Sequence, residues 1–212
     1  MNSRSGPRTT HSAYLALGDS YTIGEGVPCS ANWPAQLAAR LRGAGIDIRE
    51  PHIIATTGWT AGELSAAMDA ANFAPPYSLV TLSTGVNNQY RGGALDEYRD
   101  QFRMLLQRAI ALASDDASRV VVVSIPDWGV TPFARAEGRD VAPIARGIDA
   151  FNAAACAEVE RTGAHWVDVT AISRAPETRG WLAADGLHPS ARQYARWVDA
   201  ILPSARRALG DG

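Results

Sequence analysis

The sequence contains no lysine: all twenty of its basic residues are arginine. That absence excludes a P-loop, a Schiff base on a lysine amine and a Ser-Lys dyad. Two cysteines, Cys29 and Cys156, are too few for a disulfide framework or a thiolate zinc site; both read as free thiols, and Cys29 as a packed one. His11, His52 and His165 show no metal-ligand spacing, and no cluster of acids or thiols stands beside them, so neither a metal nor another cofactor is expected. The net charge is only −2, which leaves no electrostatic footprint for nucleic acid. No apolar run approaches the length of a membrane span. No apolar segment of the signal-peptide kind follows the polar stretch Met1 to Ser12, so a loose tail over residues 1–12 and a cytoplasmic location are expected. The Gly-x-Ser-x-Gly elbow of the α/β-hydrolases is also missing.

What remains is a chain of 212 residues, 46% of them hydrophobic, enough for one globular domain over residues 13–212. Apolar β-rich runs alternate with helical patterns. Strands are predicted at Ala13–Leu17, within Ile46–Ala55, and at Leu79–Ser83, Arg119–Ile125 and Trp166–Val169. Helices are predicted at Trp33–Arg42 with Asn32 as cap, at Ala61–Ala71, Leu95–Ala113 and Val141–Arg161, and at Ala191–Leu209 with Ser190 as cap. Four consecutive valines, Val120 to Val123, suit a strand covered on both faces. The alternation predicts an α/β fold, a parallel sheet of five strands with helices on both sides. In such sheets the site lies beyond the carboxyl ends of the strands.

Ser20, Gly58 and the run Gly85 to Asn88 each fall just after one of the first three strands, and Asp185 and His188 follow the fifth. Alone, Ser20 is a turn serine. Asp185 and His188, three residues apart, change that reading. The carboxylate can bond Nδ1, fix the tautomer and leave Nε2 free to take a proton from the serine. Gly58 can offer a backbone N–H and Asn87 a side-chain amide to a developing oxyanion. Cys29 as the nucleophile is the minor alternative. Of the aromatic residues in the neighbouring loops, Trp59 is the first candidate for a substrate pocket, ahead of Tyr90, Trp128 and Trp181. The stretch Pro126 to Asp140 reads as a long irregular loop able to shape the entrance. Arg91 and Arg135 read as solvated.

Gly18-Asp19-Ser20-Tyr21, Gly58, Gly85-Val86-Asn87 and Asp185-Gly186-Leu187-His188-Pro189 together resemble, in order, the four sequence blocks of the SGNH (GDSL-type) hydrolases. The resemblance implies a flavodoxin-like α/β/α sandwich and a serine esterase or lipase. It implies Ser20 as nucleophile, His188 as general base and Asp185 as its orienting partner, with Ser20 N–H, Gly58 N–H and the Asn87 side chain as oxyanion donors. One position departs: Asn88 stands where the family usually has an acid, and the chemistry is expected to survive the change. The expected substrate is a small-molecule carboxylic ester. A carbohydrate O-deacetylase, a thioesterase or lysophospholipase, and an acyltransferase share the same machinery. A non-catalytic binding module is the distant alternative.

Overall fold

A computed structural model describes Ser12 to Asp211. Its core is one five-stranded parallel sheet in the order β2-β1-β3-β4-β5, formed by β1 (Tyr14–Asp19), β2 (His52–Thr56), β3 (Leu79–Leu82), β4 (Val120–Val123) and β5 (His165–Val167). This is the flavodoxin-like order, in which the chain reverses direction of travel at β1. The three central strands, largely apolar in sequence, are buried along their whole length, whereas the edge strand β2 is half-exposed.

The crossovers between parallel strands put the helices on two faces of the sheet. On one face, α2 (Trp33–Gly43) packs against α9 (Ala191–Ala208). On the other, α5 (Leu95–Leu112) packs between α3 (Ala61–Ala70) and α7 (Val141–Glu160). The expected caps are present: the Asn32 side chain accepts from Ala35 N–H and the Ser190 side chain from Gln193 N–H. On α5 the apolar stripe buries Tyr98, Phe102, Leu105, Leu106 and Ala109, but Leu95 at its start is exposed. Buried Glu158 interrupts the apolar face of α7. It is held by Arg103 of α5 and Arg161, and the bonds from Arg103 keep its pKa below the ordinary value.

The tail expected over residues 1–12 lies outside the described residues except for Ser12, which already pairs with Ile48. Four short helices escape the sequence pattern: α1 (Ser20–Ile23), α4 (Val86–Tyr90), α6 (Pro132–Ala136) and α8 (Thr170–Arg174). One of them corrects the reading of Pro126 to Asp140 as irregular. A 3-10 turn at Trp128–Val130 and then α6 occupy most of it, capped by the side chains of Asp127 and Thr131. Cys29 is exposed rather than packed, because it sits in a surface 3-10 turn, and Cys156 is partly exposed on α7. Among the described residues no helix is long and apolar enough to cross a membrane.

Candidate active site

Ser20 is the first residue of α1, immediately after β1. Asp19 caps that helix, its Oδ1 accepting from Tyr21 N–H at 3.0 Å, so the chain turns sharply out of the sheet at the serine. The turn needs Gly18: a Cβ there would stand 2.0 Å from Thr22 Oγ1 and 2.6 Å from the Ser83 carbonyl. Asp19 is 2% exposed, and burial pushes its pKa up to about 7 against the lowering effect of backbone N–H donors.

The loop before α9 brings Asp185 and His188 to the same place. Leu182 and Pro189 bridge antiparallel, the Ala183 N–H donates to the His188 carbonyl, and Ser190 N–H and Oγ–H both donate to the Trp181 carbonyl. His188 is 6% exposed, its ring tilted against Tyr21 at 4.9 Å between centroids. Nδ1 lies 2.6 Å from Asp185 Oδ2, and Nε2 lies 2.9 Å from Ser20 Oγ. The Asp185 Oδ1 accepts from the N–H groups of Leu187 and His188 at 2.9 and 3.0 Å. Burial raises the pKa of Asp185, but the bonds from the His188 ring and those two N–H groups outweigh it and hold the group below its ordinary value. An ionised Asp185 can only accept, so Nδ1–H is the donor and Nε2 is left to accept from the serine hydroxyl.

Gly58 and Asn87 flank Ser20 and line the same pocket. Gly58 has φ +82°, a left-handed conformation that suits glycine at the turn after β2. The Asn87 Nδ2 donates to the Trp59 carbonyl at 2.9 Å, which uses one of its two N–H groups. Asn88 is buried. Its Oδ1 accepts from Ala61 N–H at 2.8 Å, and its Nδ2 donates to Gln101 Oε1 at 3.2 Å.

The pocket has a volume of about 170 Å³ and walls that are mostly apolar. Besides Ser20, Gly58, Asn87 and His188 it is lined by Tyr21, Val86, Tyr90, Trp128, Phe133 and Leu187, with Thr57 at its edge. Trp59, the first aromatic candidate from the sequence, is not among these residues. It follows the Gly58 turn, and its ring packs against the core. Trp181 is not there either, and lies under the Arg192 guanidinium at 3.5 Å. Tyr90 and Trp128 do line the pocket, joined by Phe133 and Tyr21, which sequence reading passed over. Arg91 is not merely solvated: its Nη2 donates to the Gly58 carbonyl at 2.6 Å, and its Nη1 pairs with Glu63 at 3.2 Å. Among the described residues no group of three His, Cys, Asp or Glu side chains stands together as a metal site would require.

Fold and site together define the class. Residues 16–196 match the GDSL-like Lipase/Acylhydrolase family, and the chain belongs to that family as an SGNH/GDSL-type carboxylic ester hydrolase. Among curated proteins it is 25% identical to Esterase TesA of Pseudomonas aeruginosa over 200 residues, 92% of this chain and 88% of that protein. Among solved structures, TesA superposes with a TM-score of 0.71 at 23% identity, covering 93% of this chain and all of that one. The psychrotrophic esterase EstA from a Pseudoalteromonas species, inhibited by monoethylphosphonate, gives 0.70 at 18% identity over 94% of this chain and 99% of that one.

Proposed function

We propose that the protein is a serine esterase that hydrolyses small carboxylic esters through an acyl-Ser20 intermediate. The observation that carries the reading is the unbroken chain from Ser20 Oγ to His188 Nε2 at 2.9 Å, and from His188 Nδ1 to Asp185 Oδ2 at 2.6 Å. As Ser20 Oγ attacks the ester carbonyl carbon, its proton passes to Nε2 and the carbonyl oxygen takes the negative charge. Asp185 holds the imidazole and balances the imidazolium. When the tetrahedral species collapses, the C–O bond to the alcohol breaks and His188 returns the proton to the leaving oxygen. A water molecule, deprotonated by Nε2, then attacks the acyl-Ser20 carbonyl, and release of the acid restores the hydroxyl.

Three donors suit the oxyanion. Ser20 N–H lies in the first turn of α1, where backbone N–H groups have no partner within the helix. Gly58 N–H lies in the turn after β2, and the second N–H of Asn87 Nδ2 is left after the bond to Trp59. A donor aimed at the oxyanion is typically worth about 3 kcal/mol of transition-state stabilisation. The compact apolar pocket favours a small acyl group over the long chains of a lysophospholipid. Turnover of p-nitrophenyl acetate by the wild type and Ser20→Ala tests the reading. The variant should lose activity, and a serine-directed phosphonate should add its mass to Ser20 in the wild type alone. Full activity in Ser20→Ala would rule the mechanism out.

A further inference from the structure

Three aromatic rings that line the pocket pack against one another: Tyr90 at the end of α4, Trp128 in the 3-10 turn and Phe133 on α6. Tyr90 meets Trp128 edge-on at 5.2 Å, and Phe133 lies 6.4 Å from Tyr90 and 6.5 Å from Trp128. Trp128 is buried and its Nε1–H donates to Gln89 at 2.8 Å, so it is fixed from within. Tyr90 is only half-buried. Much of its restraint comes from two charged residues that do not line the pocket. The Arg139 guanidinium lies 4.3 Å over the Tyr90 ring and 5.3 Å from the Trp128 ring, and its Nη1 donates to the Tyr90 carbonyl at 3.3 Å. Arg139 pairs with Glu137 at 3.0 Å, and both oxygens of that carboxylate accept from the Tyr90 hydroxyl at 3.1 and 3.2 Å. Glu137 and Arg139 therefore grip one ring by its hydroxyl, its face and its backbone.

We propose that this Glu137–Arg139 clasp on Tyr90 sets the upper size of the acyl group that the pocket admits. Its substrates are then esters of compact acids of up to about six carbon atoms. The size follows from the volume: a dry apolar cavity of about 150 Å³ takes a benzene ring, and this pocket holds about 170 Å³. On this proposal a longer straight chain meets the Tyr90 ring, and displacing that ring breaks its contacts with Glu137 and Arg139. Phe133 completes the wall, its N–H donating at 3.2 Å to the carbonyl of Gly186, inside the loop that carries Asp185 and His188. The clasp therefore acts on the same wall that the catalytic loop supports. The proposal rests on Ser20 being the nucleophile, and the experiment separates the two.

The test measures kcat/KM for p-nitrophenyl acetate, butanoate, hexanoate, octanoate and decanoate with the wild type, Arg139→Ala, Glu137→Ala and Ser20→Ala. The wild type should fall off sharply beyond hexanoate. Both clasp variants should keep acetate turnover within about twofold and gain about tenfold on octanoate relative to acetate, the order of discrimination that one or two methylenes give in an apolar pocket. Wild-type activity that is Ser20-dependent but equal on decanoate and butanoate overturns the size limit. Clasp variants that hydrolyse acetate with an unchanged chain-length profile overturn the role of Glu137 and Arg139. Ester hydrolysis that survives Ser20→Ala removes the underlying mechanism, and the clasp proposal with it. If one clasp variant fails to fold, the other decides, since Glu137→Ala frees the Tyr90 hydroxyl while leaving Arg139 over the ring.

Discussion

The carboxyl group of Asp19 makes the stability of this enzyme depend on pH in a way that one isosteric substitution isolates. Asp19 is buried at the end of β1, beside Ser20, and burial pushes its pKa up to about 7 from 3.8. A carboxyl whose pKa rises on folding holds its proton more tightly in the folded chain. Below about pH 4 both folded and unfolded chains carry the proton, and the full stability is present. As pH climbs toward 7 the unfolded chain ionises first, and stability declines until the folded form ionises too; above that it stays level. At about 1.4 kcal/mol for each tenfold change in proton affinity, the loss amounts to roughly 4 kcal/mol. Asp19→Asn keeps an oxygen for the Tyr21 N–H and cannot ionise. Its amide brings buried donors whose unmet bonds cost about 1–3 kcal/mol, the same at every pH. Urea unfolding of both proteins at pH 4, 5, 6, 7 and 8 should therefore show the variant gaining on the wild type by up to about 4 kcal/mol across the series. In thermal melts that is on the order of 10 °C for a chain of this size. Two stability curves that stay parallel from pH 4 to pH 8 would refute the reasoning.

Three further substitutions probe the site. Asp185→Asn should lower kcat by about 10³–10⁴ with little change in KM, measured on p-nitrophenyl acetate, because the imidazole loses both the carboxylate that fixes its tautomer and the charge that balances the imidazolium. Gly18→Ala forces a methyl group to 2.0 Å from Thr22 Oγ1 and 2.6 Å from a backbone carbonyl, so urea unfolding should show a loss of about 1–3 kcal/mol or more. Arg91→Gln removes the guanidinium bond to the Gly58 carbonyl, and kcat should fall about tenfold at nearly constant KM, a fraction of the 10²–10³ that a whole oxyanion donor supplies. A fall confined to KM would mean that Arg91 meets the substrate and does not organise the turn.

The parts of this molecule legible in its sequence are those with a long period. Helices of eleven to twenty residues such as α2, α5, α7 and α9 show a stripe or a cap, and the four valines of β4 announce a doubly covered strand. Helices α1, α4, α6 and α8 have four or five residues each, little more than one turn, and no periodicity can emerge from that. The side order of the sheet is a property of crossovers and is not written in any one segment. The same limit governs the site. Ser20, Asp185 and His188 stand out because their spacing carries chemistry, whereas the pocket walls come from five separate segments. Trp59 drew attention by its closeness to Gly58 in sequence, yet neighbouring residues in a turn point in different directions, and its ring turns to the core. Phe133 and Arg139 gave no signal, since their partners Tyr90 and Trp128 are brought to them only by the fold.

Asn88, the departure from the family's usual acid, bears on how the proposed oxyanion donors are held. Gly58 follows β2, an edge strand that is half-exposed and cannot fix the turn by packing alone. The ties come instead from α4 and its end: Asn87 to the Trp59 carbonyl, Asn88 to the Ala61 N–H at the start of α3, and Arg91 to the Gly58 carbonyl. Ala61 N–H is one of the N-terminal helix donors that α3 itself cannot satisfy, and an oxygen at position 88 is what meets it. A carboxylate meets it as well as an amide does, and gains from lying at a helix N-terminus. It gives up the donation to Gln101 Oε1, and if that amide turns round to donate in its place, the exposed bond from Gln101 Nε2 to Glu97 is lost instead. Asn88→Asp should therefore hydrolyse p-nitrophenyl acetate within about twofold of the wild type. Asn88→Ala leaves the Ala61 N–H buried without its partner and removes one of the ties between α4 and α3, and should lose about 1–3 kcal/mol of stability in urea together with a lowered kcat. Equal damage from the aspartate and the alanine would show that position 88 answers to its charge and not to the acceptor that meets the Ala61 N–H.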